Sequence, residues 1–300
     1  MRLPHLTDPP ESYIMNAMHT VEARVEVTDL EYVLFFLKAV WYTLGAVVIC
    51  GLCVSLLRSL FVRMLGGRFG QGVVIATSML GTPVHEVGHA LMCLLFGHTI
   101  TDASLWQPAS EDGNLGFVTH AYNPRNPYHV LGNLFIGIGP IFSGLGVLTL
   151  ALWLGFPNTC EAYLSTASSM AAAGDGGLVI FLEGLKMLPR MLDEILHGTD
   201  VPLWGRIVAL IVILSVAQHI SLSVADIKGA LKALPLYLVI ILLLTVICGL
   251  IGSTAMTAVT GGLAAFSAYL TALFVIVLVS ALLQLLVALP LWMLRKLLGR

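Results

Sequence analysis

From Ala233 to Leu294 the chain runs 62 residues without an Asp, Glu, Lys or Arg. At about 1.5 Å per helical residue, that run far exceeds a hydrocarbon core of roughly 30 Å, so it must fold back at least once. Thr257-Ala258-Val259-Thr260-Gly261-Gly262 is the natural place for the turn. Shorter uncharged runs cover Ala39–Leu57, Asn126–Cys160 and Ile207–Ala225. Backbone in lipid must satisfy its own hydrogen bonds, so these runs are read as helices. The alternation of membrane barrel strands is absent.

Composition narrows the class further. Hydrophobic residues make up 58% of the 300 and charged residues only 11%, against roughly 45–50% and 25% in soluble domains. So few charges cannot cover a water-soluble particle of this size. The formal net charge is -2, and no Lys/Arg cluster offers the phosphate-neutralising patch of a nucleic-acid binder. The expectation is an all-α, multi-pass integral membrane protein in a lipid bilayer, with about six transmembrane helices and no nucleic-acid partner. The sequence specifies no oligomeric state.

Residues 1–30 read as a polar N-terminal arm, without the basic start and apolar stretch of a signal peptide. Residues 31–300 form the membrane domain. Its expected spans are about Tyr32–Leu57, Gly72–Phe96, Val130–Leu154, Leu203–Ala225, Leu236–Met256 and Ala264–Leu294. Arg58, Arg63 and Arg68 mark a cytoplasmic loop by the positive-inside bias. Lys228 with Lys232, and Arg295 with Lys296 and Arg300, mark two more candidates. Six strictly alternating spans cannot put all three groups on one side, so part of the mixed region 158–200 enters the membrane or one group lies outside. Cys50 and Cys53 form a C-x-x-C inside an apolar run and read as small core residues rather than a redox or metal pair. No internal repeat is evident.

Within this apolar sequence, His85-Glu86-Val87-Gly88-His89 is an H-E-x-x-H motif. Histidines four apart on a helix share a face, so both imidazoles can reach one metal ion. Glu86 then adjoins the position of an attacking water, where it can take a proton and later pass one to a leaving amine. Chance alone gives this pattern in roughly one such chain in a hundred. Ionisable groups in a membrane stretch are costly and therefore functional candidates. The bland alternative is two buried histidines bonded to neighbouring helices, with Glu86 as a polar clamp. Thr82 as N-cap and Pro83 at the first helical position would start the motif helix just before it. Two imidazoles and a carboxylate with an open position suit Zn2+, one per chain.

The third ligand has three candidates. Asp226 closes the apolar run that ends at Ala225; otherwise it is a helix cap or an interfacial residue beside Lys228. Glu183 comes next, and Asp175 after it.

These residues resemble the site-2 protease family of intramembrane zinc metalloproteases. The resemblance covers about half the chain, Gly81 to Gly229. It rests on His85-Glu86-x-x-His89 in a hydrophobic helix, Ala90-Leu91, Phe96-Gly97 at the helix end, and the second helix Gly132-Asn133-Leu-Phe-Ile-Gly137-Ile-Gly139-Pro140. It implies that His85, His89 and a later transmembrane Asp226 bind zinc while Glu86 activates water. It also implies that residues 99–116 form a membrane-associated hairpin able to pair with an unwound strand of a membrane-protein substrate. The chain departs from the family around Asp226: the usual Asn and Pro are missing and the Gly falls three residues later, at Gly229. There is room only for a compact membrane core, without the extra regulatory domain of some members.

Asn133 is a candidate to donate to a scissile carbonyl or its oxyanion, or else bridges helices. His219, seven residues before Asp226, is a candidate to support it on the same helix face, or is a satisfied buried histidine. Gly132, Gly137, Gly139 and Gly144 allow close helix approach, and His98, His120 and His129 read as interfacial. Two rival functions stay open. One resembles the prenyl-protein endopeptidases, with Glu183 as third ligand; the other is a non-hydrolytic metal-binding membrane protein such as a transporter or chaperone-like relative.

Overall fold

The computed structural model describes residues 28–108, 114–173 and 177–297. The N-terminal arm and Asp175 lie outside these. The described chain is helical except for one antiparallel hairpin, β1 (Thr99–Ser104) with β2 (Phe117–Ala121). In chain order the helices are α1 (Asp29–Val40), a π-helical turn Trp41–Gly45, α2 (Ala46–Leu65), α3 (Gly67–Leu95), α4 (Pro127–Gly155), α5 (Pro157–Ala173), α6 (Gly177–Leu185) and α7 (Met187–His197). They continue with α8 (Leu203–Ala217), α9 (Val224–Leu231), α10 (Leu234–Ile251) and α11 (Ser253–Leu297).

Four stretches are long and apolar enough to cross a membrane: Asp29–Leu65, Pro127–Gly155, Leu234–Ile251 and Ser253–Leu297. This marks a membrane protein; the expected count was six. Of the other two expected spans, the motif helix α3 is long but polar at its centre, and α8 is apolar but short.

Several boundaries differ from expectation. The first helical stretch continues past Leu57 to Leu65, so Arg58 and Arg63 stand inside a helix rather than in a loop. Gly66, at φ 61°, ends it. The 62-residue uncharged run turns at Gly252, not at 257–262. Gly252 adopts φ 126°, which side chains disfavour, whereas Gly261 and Gly262 are tolerated within α11. Helix α3 does not start at Thr82: it runs through Pro83, which forfeits one backbone bond. Packing of α3 against α4 and α8 holds the helix together across that gap, and Ser143 Oγ donates to the Val84 carbonyl just beyond it at 2.7 Å.

Helix α4 occupies the centre. Pro127 sits in its first turn, and the Asn126 side chain caps it by accepting from the Tyr128 amide. It is apolar around its circumference, as a fully surrounded helix must be, and it packs against α3, α5, α8, α9 and α11. Two glycines bring α3 and α4 into backbone contact: a Cβ on Gly88 would lie 2.7 Å from Gly139, and one on Gly139 would lie 2.5 Å from the Gly88 carbonyl oxygen. Gly137 does the same for α9, where an added Cβ would meet the Asp226 carbonyl oxygen at 2.6 Å. The motif helix and the Asp226 segment therefore lie against adjacent faces of one helix.

The hairpin lies over α3. The Trp106 indole donates to Ser78 Oγ at 2.9 Å, and the Gln107 amide donates to the Leu115 carbonyl at 2.8 Å beyond the strands. All five cysteines are free thiols, consistent with small core residues.

Candidate metal centre

The structure brings His85, His89 and Asp226 together. Their ligand atoms all lie within 4.8 Å of one another. His85 Nε2 and His89 Nε2 are 3.2 Å apart, His89 Nε2 and Asp226 Oδ1 3.2 Å, and His85 Nε2 and Asp226 Oδ2 3.8 Å. Four ligands at zinc's bond lengths of about 2.0–2.2 Å would sit roughly 3.3–3.5 Å from one another in a tetrahedron. The triangle formed here is close to one face of that figure.

The outer nitrogens fix the tautomers. His85 Nδ1 lies 2.7 Å from the His219 carbonyl oxygen and His89 Nδ1 lies 2.8 Å from the Ile136 carbonyl oxygen. A carbonyl can only accept, so each Nδ1 carries the proton, and the neutral form of each ring turns its Nε2 lone pair inward. Two lone pairs 3.2 Å apart beside a carboxylate repel unless a proton or a metal cation lies between them. The group could therefore hold a metal ion, and its outer hydrogen bonds are those that orient metal-ligating histidines.

The free carbonyl at Ile136 has a cause in the sequence. In a helix it would accept from the residue four later, which is Pro140 and has no N–H. Pro140 thus leaves the Ile136 oxygen available to His89. The glycine contact between Gly88 and Gly139 brings the ring within reach.

Asp226 arrives differently from expectation. Helix α8 ends at Ala217, so Asp226 is not the end of a transmembrane helix. Residues 218–222 are not helical and separate α8 from α9. Asp226 is the third residue of α9, where Ser223 and Asp226 form a reciprocal capping box: the Ser223 amide donates to Asp226 Oδ2 at 2.6 Å, and the Asp226 amide donates to Ser223 Oγ at 3.1 Å. The cap and the metal-ligand geometry are thus properties of one carboxylate rather than alternatives. Because no single helix joins them, His219 does not share a helical face with Asp226. It supports His85 instead, through its main-chain carbonyl, while its ring Nδ1 donates to the Ser215 carbonyl at 3.0 Å.

Glu183 lies outside this cluster. It is buried in α6, with Oε2 2.5 Å from Lys186 Nζ and Oε1 3.1 Å from Arg190 Nη2. Its charge is already matched.

A cavity of about 700 Å³ joins the His85–His89–Asp226 cluster to Glu86, Asn133, His120, Arg58 and the second arm of the hairpin. Glu86 is buried beneath that arm, close enough that a Cβ on Gly116 would lie 3.0 Å from its Cγ. Asn133 Nδ2 donates to the Val130 carbonyl at 3.2 Å, leaving its second N–H and its oxygen available to the cavity it lines. His120 reaches the same cavity from β2, its Nδ1 2.9 Å from His98 Nδ1, while His98 Nε2 donates to the His129 carbonyl at 2.8 Å. Burial holds both the His98 and His120 imidazoles below the ordinary histidine range.

Sequence reasoning missed Arg58, Ser221, Gly116 and the Ile136 carbonyl. Pro140 was the available signal for the last. No protein-family model, curated protein or solved structure matches the chain.

Proposed function

We propose that this chain is a multi-pass intramembrane zinc metalloendopeptidase of the site-2 protease type, which hydrolyses peptide bonds in or near transmembrane segments of other membrane proteins. The observation that carries the reading is the convergence of two histidine Nε2 atoms and an Asp226 oxygen, with both Nδ1 protons committed to backbone carbonyls and Glu86 adjoining in the same cavity.

When bound, zinc would supply Lewis acidity, polarising a carbonyl and bringing the pKa of a water to about 7. His85, His89 and Asp226 would hold it. The Glu86 carboxylate takes the proton of the attacking water and returns it to the departing amine. Asn133 offers its free amide N–H to the developing oxyanion. Both outer edges of the two-stranded hairpin are unpaired among the described residues, so an unwound substrate segment can add as a third strand. The hairpin arm over Glu86 forms part of the cavity wall.

Glu183 belongs to the prenyl-endopeptidase alternative, and its pairing with Lys186 and Arg190 favours Asp226 instead. A metal carrier has no use for a buried carboxylate beside its ligands, which favours hydrolysis over transport. The test is Glu86→Gln in the purified chain, assayed against a panel of single-span membrane proteins that the native chain cleaves. Zinc content should stay near one per chain while cleavage falls by a factor of about a hundred or more. Undiminished cleavage would remove Glu86 as the base, and absence of bound zinc in the native chain would remove the reading itself.

A further inference from the structure

Arg58 stands seven residues before the end of α2, about 10 Å inside that end along the helix axis. It lines the same cavity as the metal-ligand cluster. Its Nη1 donates to Ser221 Oγ at 3.1 Å, and its Nε is buried without a partner. No described carboxylate pairs with it. A guanidinium partly buried in an apolar helix, with no described carboxylate beside it, is expensive, and its removal from water is offset by a well-placed anion.

The surroundings favour an anion. Lys228 and Lys232 line the cavity from α9 and its end, both exposed. Against these three cations the described cavity wall sets two carboxylates, Glu86 and Asp226. Asp226 would be spent on the metal ion and Glu86 on proton transfer.

We propose that Arg58, supported by Ser221, forms a subsite for a carboxylate of the bound polypeptide, so that the enzyme selects an acidic group on one side of the cleaved bond. This rests on the peptidase reading above and names a substrate class for it. The guanidinium offers a planar fork matched to a carboxylate, while the chain from His219 to Asp226 joins this subsite to the metal ligands. A peptide carboxylate is favoured over a lipid phosphate because Arg58 opens to the same cavity as the metal-ligand cluster, with the second arm of the hairpin in its wall.

The test uses the full chain loaded with cobalt(II) in dodecyl maltoside micelles, with binding read from the visible absorption of the metal. The probes are three hydroxamate-capped dipeptides: Ala-Ala with a free C-terminus, Ala-Asp amide and Ala-Ala amide. In the native chain at least one acidic probe should bind about tenfold or more tighter than the neutral one, the scale of a charge-assisted hydrogen bond. Whichever acid shows the gain identifies a terminal or a side-chain carboxylate. Arg58→Gln should abolish the preference and Arg58→Lys should keep part of it, with cobalt uptake showing that the centre is intact. Equal binding of all three probes to the native chain overturns the subsite, even if Arg58→Gln fails to fold. An undiminished preference in Arg58→Gln overturns it as well. If added dioleoyl phosphatidylglycerol erases the preference while neutral-probe binding persists, the site belongs to a lipid phosphate and the peptide assignment is wrong. Failure of cobalt to bind the native chain removes the metal centre first, and the subsite falls with it.

Discussion

His89 depends on Pro140, a residue one helix away that it need not touch. Because Pro140 has no N–H, the Ile136 carbonyl keeps a free lone pair, and His89 Nδ1 donates to it at 2.8 Å. Pro140→Ala should return that carbonyl to its own helix. We expect zinc affinity to fall about 10–100-fold, the usual cost of losing a hydrogen bond that orients a metal-ligating histidine, while helix α4 becomes no less stable. Competition with a chromophoric chelator measures the affinity; a value equal to the native one would refute the dependence.

Asp226 and Glu183 should separate cleanly. Asp226→Ala should abolish stoichiometric zinc, and Ser223→Ala should weaken it less while costing about 1 kcal/mol through the lost cap. Glu183→Gln should leave zinc in place and lower stability by roughly 1–3 kcal/mol, because the Arg190 and Lys186 charges lose their buried acceptor. Metal analysis of the three purified variants, together with their thermal unfolding in detergent, decides the matter. Loss of zinc in Glu183→Gln alone would reverse the assignment.

Gly88→Val should act through packing. Its Cβ would meet Ser143 Oγ at 2.5 Å and the Gly139 backbone at 2.7 Å; the hydroxyl can rotate away, but the backbone cannot yield without moving α4. A destabilisation of about 1–3 kcal/mol is expected, with zinc affinity falling as α3 is pushed away from Ile136. Retention of native thermal stability and native zinc affinity would show that the two backbones do not need this approach.

The hairpin should loosen in acid. His98 and His120 are held below the ordinary value near 6.5, chiefly by burial. The unfastened hairpin therefore binds protons more readily than the fastened one. Their contribution is full above that ordinary value and is lost as pH falls through the depressed values. Amide exchange across residues 99–121 should quicken as pH drops below about 6.5, after correction for the intrinsic rate. His120→Asn should flatten this dependence, and a pH-independent protection would count against the histidine pair as the fastening.

Much of the candidate site was legible because its signals are local. The four-residue spacing of His85 and His89 follows from helix periodicity, and the scarcity of charge makes any ionisable group in an apolar run conspicuous. Asp226 stood out for that reason, yet its setting differs: a continuous span is expected through Ala225, whereas α8 ends at Ala217 and a capping box starts α9. Thr82-Pro83 likewise has the form of a helix start, but the helix runs on because α4 and α8 pack on either side of the missing bond.

By itself, then, the sequence determined the membrane class, the helical class and which four side chains are candidates for the site, since hydrophobicity and periodicity act over short stretches. Only the tertiary structure decided which groups meet. The carbonyls of Ile136 and His219 carry no residue-specific signature, and Arg58 resembled a loop charge until α2 continued past it. Such convergence comes from glycine-mediated contact between helices distant in sequence, and no local pattern encodes a distance between two backbones.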